Sequence, residues 1–322
     1  MGSTIKRKIL LQMTDPSGNR TAFVLSGARP EDYQSIAKYI MEQTDYGAEQ
    51  VAFVKSTNAF DMSGMEFCGN AARAFALLSA KGMIDGKPSE DTRTFLEVTV
   101  SDSRHHVICG VDTESCHASA SIPLPKRIKT LKHCDFAPAV GKTVIVMDGI
   151  THLIADDIEY DEQNFHQICE AMQEQFDSPA IGVMYLNTET LEMTPVVHVT
   201  SVGTTYIEGS CGSGSASAAY YLATRKAAEA TDAEITAATG SEITESQDSE
   251  ATDAETVKVP QDGTYEYELK QPAGTIHASC VITSGEPAAL YIEGEVGLSS
   301  PEFITVEFES TEDEINAMSD TW

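Results

Sequence analysis

The chain has 322 residues, enough for two ordinary domains with packed interiors, and 41% of them are apolar. Acidic residues outnumber basic ones by 50 to 21, a net charge of −29, and such a surface repels nucleic acid and anionic membranes. Seven cysteines at scattered spacings argue against a disulfide framework, and no apolar run approaches membrane-spanning length.

The N-terminal stretch "MGSTIKRKILLQMTDPS" has basic residues, but its apolar run is too short for a signal segment, and Lys6 breaks the myristoylation pattern. A cytoplasmic protein of a reducing compartment is expected. Strand signals then recur along the chain: "RTAFVLS", "QVAFVKS", "TFLEVTV", "HHVICGV", "KTVIVMDG", "AIGVMYL", "TPVVHVT", "YEYELKQ", "TIHASCVI", "ALYIEGE" and "FITVEFES". Helical patterns fall at Glu31 to Thr44, after Cys68, at Asp161 to Phe176, and after Cys211. Many short strands with about two helices per half predict a mixed α+β architecture. The proline-containing "ASIPLPKRIKT", Ala120 to Thr130, reads as a crossover between domains. The stretch from Ala227 to Gly263 is poor in large apolar residues and reads as an acidic surface insertion with some helix at its start.

Two segments carry the chemistry. "EFCGNAARAFALL" and "EGSCGSGSASAAYYLA" each place a cysteine before glycine, a small polar residue and an Ala-rich run, with Cys68 and Cys211 separated by 143 positions. Glycine after the cysteine fits a helix N-terminus, where N–H groups lack partners and anions are attracted. Such a position is expected to lower the thiol pKa. The N–H groups of Gly69, Asn70, Gly212 and Ser213 would together cradle one carboxylate. A thiol on each side of the neighbouring carbon suits taking a proton from one face and returning it to the other, which is racemisation or epimerisation. Cys109, Cys134, Cys169 and Cys280 read as small core residues. "HHVICGVDTESCH" holds His105, His106, Cys109, Cys116 and His117, but reads as strand, turn and strand rather than a metal site.

At these cysteine motifs the sequence resembles the diaminopimelate epimerase-like family of PLP-independent, two-cysteine racemases. "PSGNRTAFVL" resembles its opening strand, with Asn19 at the substrate-binding asparagine. "YGAEQVAFV", "MDGITHLIADD" and "QPAGTIHASC" are similar to further family segments. The resemblance implies two similar domains, each a barrel-like mixed sheet around a central helix, with the active site in the cleft between them. Residues 1–121 plus 301–322 would form the Cys68 domain, and 122–300 the Cys211 domain with the insertion at about 227–263. It also implies no PLP, metal or redox cofactor. A small amino acid is the expected partner, with no nucleic acid or membrane, and with a homodimer as an allowed assembly. His152 would partner one cysteine, and Glu208, three residues before Cys211, is a candidate second base. Diaminopimelate epimerases carry a Glu-Arg pair before the second cysteine. Here Val202 and Gly203 stand near those places, so a distal carboxylate has no bidentate partner. "MSGMEFCGNAAR" is instead similar to histidine racemases, and Glu49 and Gln50, with Asn58 as a further candidate, would meet an imidazole side chain. Diaminopimelate epimerase is the alternative in class, and proline or hydroxyproline racemase a more distant one. A phenazine-type isomerase and a non-catalytic amino-acid-binding protein are the alternatives of other kinds.

Overall fold

The structure, a computed structural model, describes residues 4–101, 106–200, 203–239 and 261–309. Strands β1 (Thr4–Pro16) and β2 (Thr21–Ser26) form a hairpin, and α1 (Tyr33–Glu42) returns the chain so that β3 (Gln50–Ser56) runs parallel to β2. β4 (Ala59–Met62) pairs back on β3, α2 (Gly69–Ala80) follows, and β5 (Arg93–Val100) lies parallel to β4. β6 (His106–Asp112) and β7 (His117–Ile122) make a hairpin, matching the strand–turn–strand reading. Cys109 lies inside it, while His106 faces out and meets Glu97 at 2.8 Å. His105 lies outside the described residues.

The proline-containing crossover leads into a second sheet. It holds β8 (Arg127–Thr130), β9 (Thr143–Val146), β10 (Thr151–Asp156), β11 (Ala180–Leu186), β12 (Met193–Val199) and β13 (Thr204–Ile207), with α3 (Glu162–Gln175) between β10 and β11. Asp161 caps α3 by accepting the N–H groups of Gln163 and Asn164 at 2.9 and 3.2 Å, which fixes the helix start where the sequence places it. α4 (Gly212–Thr239) follows, running into the acidic stretch; residues 240–260 of that stretch lie outside the described residues. β14 (Gly263–Gln271), β15 (Gly274–Thr283) and β16 (Glu286–Leu298) then rejoin the first sheet, and β17 (Glu302–Glu309) closes the chain against β1.

The first sheet has eleven strands, and a further pairing of β16 with β1 closes eight of them into a barrel-like ring. α2 runs through that ring, which explains its composition. A helix surrounded on every side must be apolar all round, and alanines let the strands approach closely. Ala71, Ala72, Ala74, Phe75, Leu77 and Leu78 are all buried, and Phe75 packs on Phe60 at 4.8 Å between ring centroids. α4 occupies the equivalent place between the second sheet and β14–β16, so β16 packs against both helices. The mixed α+β architecture with a barrel-like sheet around a central helix is thus the observed one. Among the described residues no helix is long and apolar enough to cross a membrane.

The β1–β2 turn needs its glycine. Gly18 has φ of +87°, and a Cβ there would sit 2.5 Å from the Ala273 carbonyl oxygen. Gly18→Ala is therefore expected to cost about 2 kcal/mol or more, from backbone strain plus steric conflict. A thermal melt checks this, and an unchanged Tm would show that the turn relaxes freely.

Candidate active site

The two cysteine motifs fold into the same local structure. Cys68 is the N-cap of α2, with extended backbone, and its Sγ accepts the Ala71 N–H at 3.4 Å while its carbonyl accepts that of Ala72 at 3.0 Å. At the start of α4, Cys211 Sγ accepts the Gly214 N–H at 3.4 Å and its carbonyl that of Ser215 at 2.9 Å. Among the described residues no protein group accepts the N–H of Gly69, Gly212 or Ser213, so donors stay open at both helix ends. The two ends approach each other. A Cβ on Gly212 would lie 3.4 Å from Asn70 Oδ1, and the Ile292 Cδ1 atom of β16 would lie 3.1 Å from a Cβ on Gly69 and 2.9 Å from one on Gly212. Glycine at both positions leaves room for β16 to pass between the helix starts.

Electrostatics confirms the proximity. The Glu208 carboxyl pushes up the pKa of both thiols, and Glu49 in turn pushes up that of Glu208. Here the expectation of acidified thiols is corrected. Cys68 is pushed up to about 12 and Cys211 well above its ordinary value, in both cases first by burial. The N–H groups of Ala71 and Asn70 pull Cys68 down, and those of Gly214 with the Ser213 hydroxyl pull Cys211 down, but desolvation outweighs them. Both sulfurs are thiols in the ligand-free site. Cys68 and Glu208 keep some exposure to water, yet protein surrounds them on nearly every side.

Each thiol has a carboxyl beside it in sequence. The exposed Glu66 folds back on its own N–H and that of Gly64, and its charge bears on Cys68. Glu208 hydrogen-bonds the Cys211 thiol, and burial raises its pKa to about 7. His152 is on the Cys211 side: its Nε2 stands 3.1 Å from Ser213 Oγ, which stands 3.7 Å from Cys211 Sγ. Complete burial lowers the His152 pKa to about 3, so the ring is neutral, and its Nδ1 has no partner among the described residues. Gln271 clamps this end, accepting the Cys211 N–H at 2.8 Å and donating to Ser215 Oγ at 2.9 Å.

Asn19 and Glu49 complete the cluster. Asn19 Nδ2 donates to Glu49 Oε2 at 3.1 Å, while Asn19 Oδ1 is buried without a partner among the described residues. Glu49 Oε1 lies 3.1 Å from where a Cβ on Gly209 would sit, and burial raises its pKa. Gln50 begins β3 with its Oε1 buried and unpartnered, and no described bond joins it to the thiols. Asn58 falls elsewhere, in the exposed β3–β4 turn at the far end of β3, where it bonds Ser56. Val202 lies outside the described residues. Two surface cavities of about 520 and 490 Å³ open on the outer face of the large sheet, and neither is lined by a cysteine.

Similarity to known proteins follows the same residues. The family model described as "Histidine racemase CntK N-terminal domain" matches residues 9–261, a span holding both cysteine caps. The chain belongs to the histidine racemase family. A histidine racemase of Fusobacterium nucleatum subsp. nucleatum is 29% identical over 216 residues, covering 65% of this chain and 78% of the relative. One from Staphylococcus aureus is 25% identical over 213 residues, covering 63% and 76%. Among solved structures, a predicted epimerase from Pseudomonas aeruginosa has a TM-score of 0.57 at 12% identity, over 93% of this chain and 99% of the other. A hydroxyproline epimerase from Agrobacterium vitis, bound to trans-4-hydroxy-L-proline, has a TM-score of 0.53 at 10% identity, over 94% of each. These two establish the fold; the family match makes this racemase an isomerase. Asn19, Glu49, Cys68, Glu208 and Cys211 come together in one place in it. Sequence reasoning missed Gln271, 60 positions after Cys211, because no local pattern marks a residue brought in by another strand.

Proposed function

We propose that this racemase inverts the α-carbon of histidine by moving protons between two thiols. The observation that carries the reading is the matched capping of α2 and α4 by Cys68 and Cys211, under the field of one shared carboxyl. The substrate carboxylate takes the open N–H groups of Gly69, Gly212 and Ser213, with the Asn70 N–H, which bears on Cys68, beside them. One sulfur, as thiolate, removes the α-proton; the other, as thiol, donates its proton to the opposite face. Between the two transfers the α-carbon's electron pair spreads onto the carboxylate, where both helix ends stabilise it. Glu208 accepts the Cys211 proton, each turnover then passes the thiolate from one sulfur to the other so that the reverse direction starts from Cys68, and the substrate ammonium adds the positive charge that a thiolate requires in this buried place. Glu49, with its pKa raised and Asn19 beside it, is the acceptor for an imidazole N–H. The curated relatives are named histidine racemases, which supports the choice of side chain.

A panel of L- and D-amino acids in D2O, read by mass and chiral chromatography, tests this. Histidine is expected to take up α-deuterium and lose chirality, and to do so at least tenfold faster than diaminopimelate, whose distal carboxylate would lack the arginine that diaminopimelate epimerases place before the second cysteine. Faster turnover of diaminopimelate would overturn the choice of substrate, and no exchange with any amino acid would overturn racemisation. Turnover is expected to survive dialysis against a chelator and treatment with a carbonyl reagent. Loss restored by zinc or by PLP would overturn the two-thiol mechanism.

A further inference from the structure

Arg73 lies inside the closed ring, one turn into α2, with none of its surface exposed. Four bonds hold it. Its Nε donates to Asn70 Oδ1 at 3.2 Å, Nη1 to the carbonyls of Gly294 and Glu295 at 3.0 and 3.3 Å, and Nη2 to Ser17 Oγ at 2.8 Å. Every acceptor is neutral, and among the described residues no carboxylate lies within ion-pair distance of it. A buried cation without a bonded anion is costly, so a chain that retains one has a use for its charge. The room for it is built in: a Cβ on Gly294 would meet Ser17 Oγ at 2.8 Å and Arg73 Nη1 at 3.4 Å. Burial brings the guanidinium down to about 10, which leaves it charged at neutral pH. The groups that bear on it when ionised are Cys68 at the cap of α2, Asp15 on β1, Cys109 on β6 and Glu293 on β16, with Cys68 the strongest; the two thiols do so only as thiolates. Glu66 and Glu208 face Cys68 itself.

We infer that Arg73 is a positioning residue, which locks Asn70 and the Ser17–Asn19 turn around Cys68 and sets a fixed positive charge behind the helix end that receives the substrate carboxylate. Three separate elements of the site converge on its one planar fork: the α2 cap through Asn70, the β1–β2 turn through Ser17, and β16 through two carbonyls. Lysine could supply the charge but not this geometry. The inference rests on the reading of Cys68 as one of the two proton-transfer thiols.

The test compares Arg73→Gln and Arg73→Lys with the unmodified enzyme. The rate of alkylation of Cys68 by iodoacetamide is followed against pH in the ligand-free protein by peptide mass spectrometry, with Cys211 as internal reference. The Gln variant is expected to move the Cys68 profile up by about one pH unit, roughly tenfold slower alkylation at a fixed pH, and to leave Cys211 in place. An unmoved Cys68 profile, or an equal shift of both cysteines, would overturn the inference, since general loosening moves both. The Lys variant decides the matter if the Gln variant does not fold. Its Cys68 profile is expected within about 0.3 unit of the unmodified enzyme while kcat/KM falls at least tenfold. A Lys variant with full kcat/KM would refute the positioning role. Alkylation reports on Cys68 whether or not histidine is turned over, so a failed racemase reading and a failed role for Arg73 give different results.

Discussion

Cys68→Ser and Cys211→Ser are each expected to lower histidine racemisation by about 10³-fold or more, in both directions. Every turnover needs one sulfur as acceptor and the other as donor, so the loss of either stops the full cycle. Serine keeps the shape, and its hydroxyl can still take the N–H of Ala71 or Gly214, so the helix caps survive. What disappears is a group that can ionise, since the hydroxyl is a far weaker acid. The half-reactions separate the two roles. Cys68→Ser should still exchange the α-proton of the enantiomer that faces Cys211, and Cys211→Ser should show the opposite preference. Deuterium uptake from D2O into L- and D-histidine reads this directly. Near-normal racemisation by either variant would make that cysteine a core residue and end the two-base mechanism. The burial of both thiols sharpens the expectation, because a sulfur held protonated in the ligand-free site has no role as a free surface nucleophile.

The cysteines were legible because helix capping is local chemistry. Cys-Gly before an Ala-rich run specifies a cap, open donors and an enclosed helix within a dozen residues, and the motif occurs twice. Their acidity was not legible. A helix end alone argues for an acidified thiol, and the opposite result comes from desolvation, which depends on how strands distant in sequence close over the site. The same holds for Arg73. Nothing in "CGNAARAFALL" marks its burial, and only the pairing of β16 with β1, 280 to 284 positions apart, puts it inside a ring. Asn19 and Glu49 were found through resemblance, since a lone Asn after a turn and a lone Glu before a strand carry no signal of their own. Asn58, a further candidate for the side-chain contacts, is carried by β3 to the opposite end of the strand. The four-residue strands β4, β8 and β13 escaped the pattern, whereas the equally short β9 was marked by its Val-Ile-Val run.

Glu208→Gln is expected to separate activity from stability. The folded carboxyl titrates at about 7 against an ordinary value of 4.5, raised first by burial and then by Glu49, with the Cys211 thiol pulling the other way. As acceptor for the Cys211 proton it works only when ionised. For the enantiomer that Cys211 deprotonates, kcat/KM should therefore rise about tenfold per unit as pH increases toward 7, then level off. Glutamine cannot accept that proton, so this direction should fall by about 10²-fold or more and lose its inflection near 7. Stability moves the other way. A carboxyl whose pKa is raised on folding binds its proton more tightly in the folded state. Its favourable contribution is complete below about 4.5 and is lost as pH rises through 7. Above that the ionised group is a burden of up to about 3 kcal/mol, which partial exposure reduces to about 1–2 kcal/mol. The Gln variant should accordingly be more stable than the unmodified protein by about that amount at pH 8, and no more stable at pH 4.5. Urea unfolding at the two pH values decides it. Equal stabilisation at both would mean that the gain comes from packing rather than from the buried charge. Full activity at pH 8 would remove Glu208 from the proton path and leave Cys211 with Ser213 and the neutral His152 as its remaining neighbours.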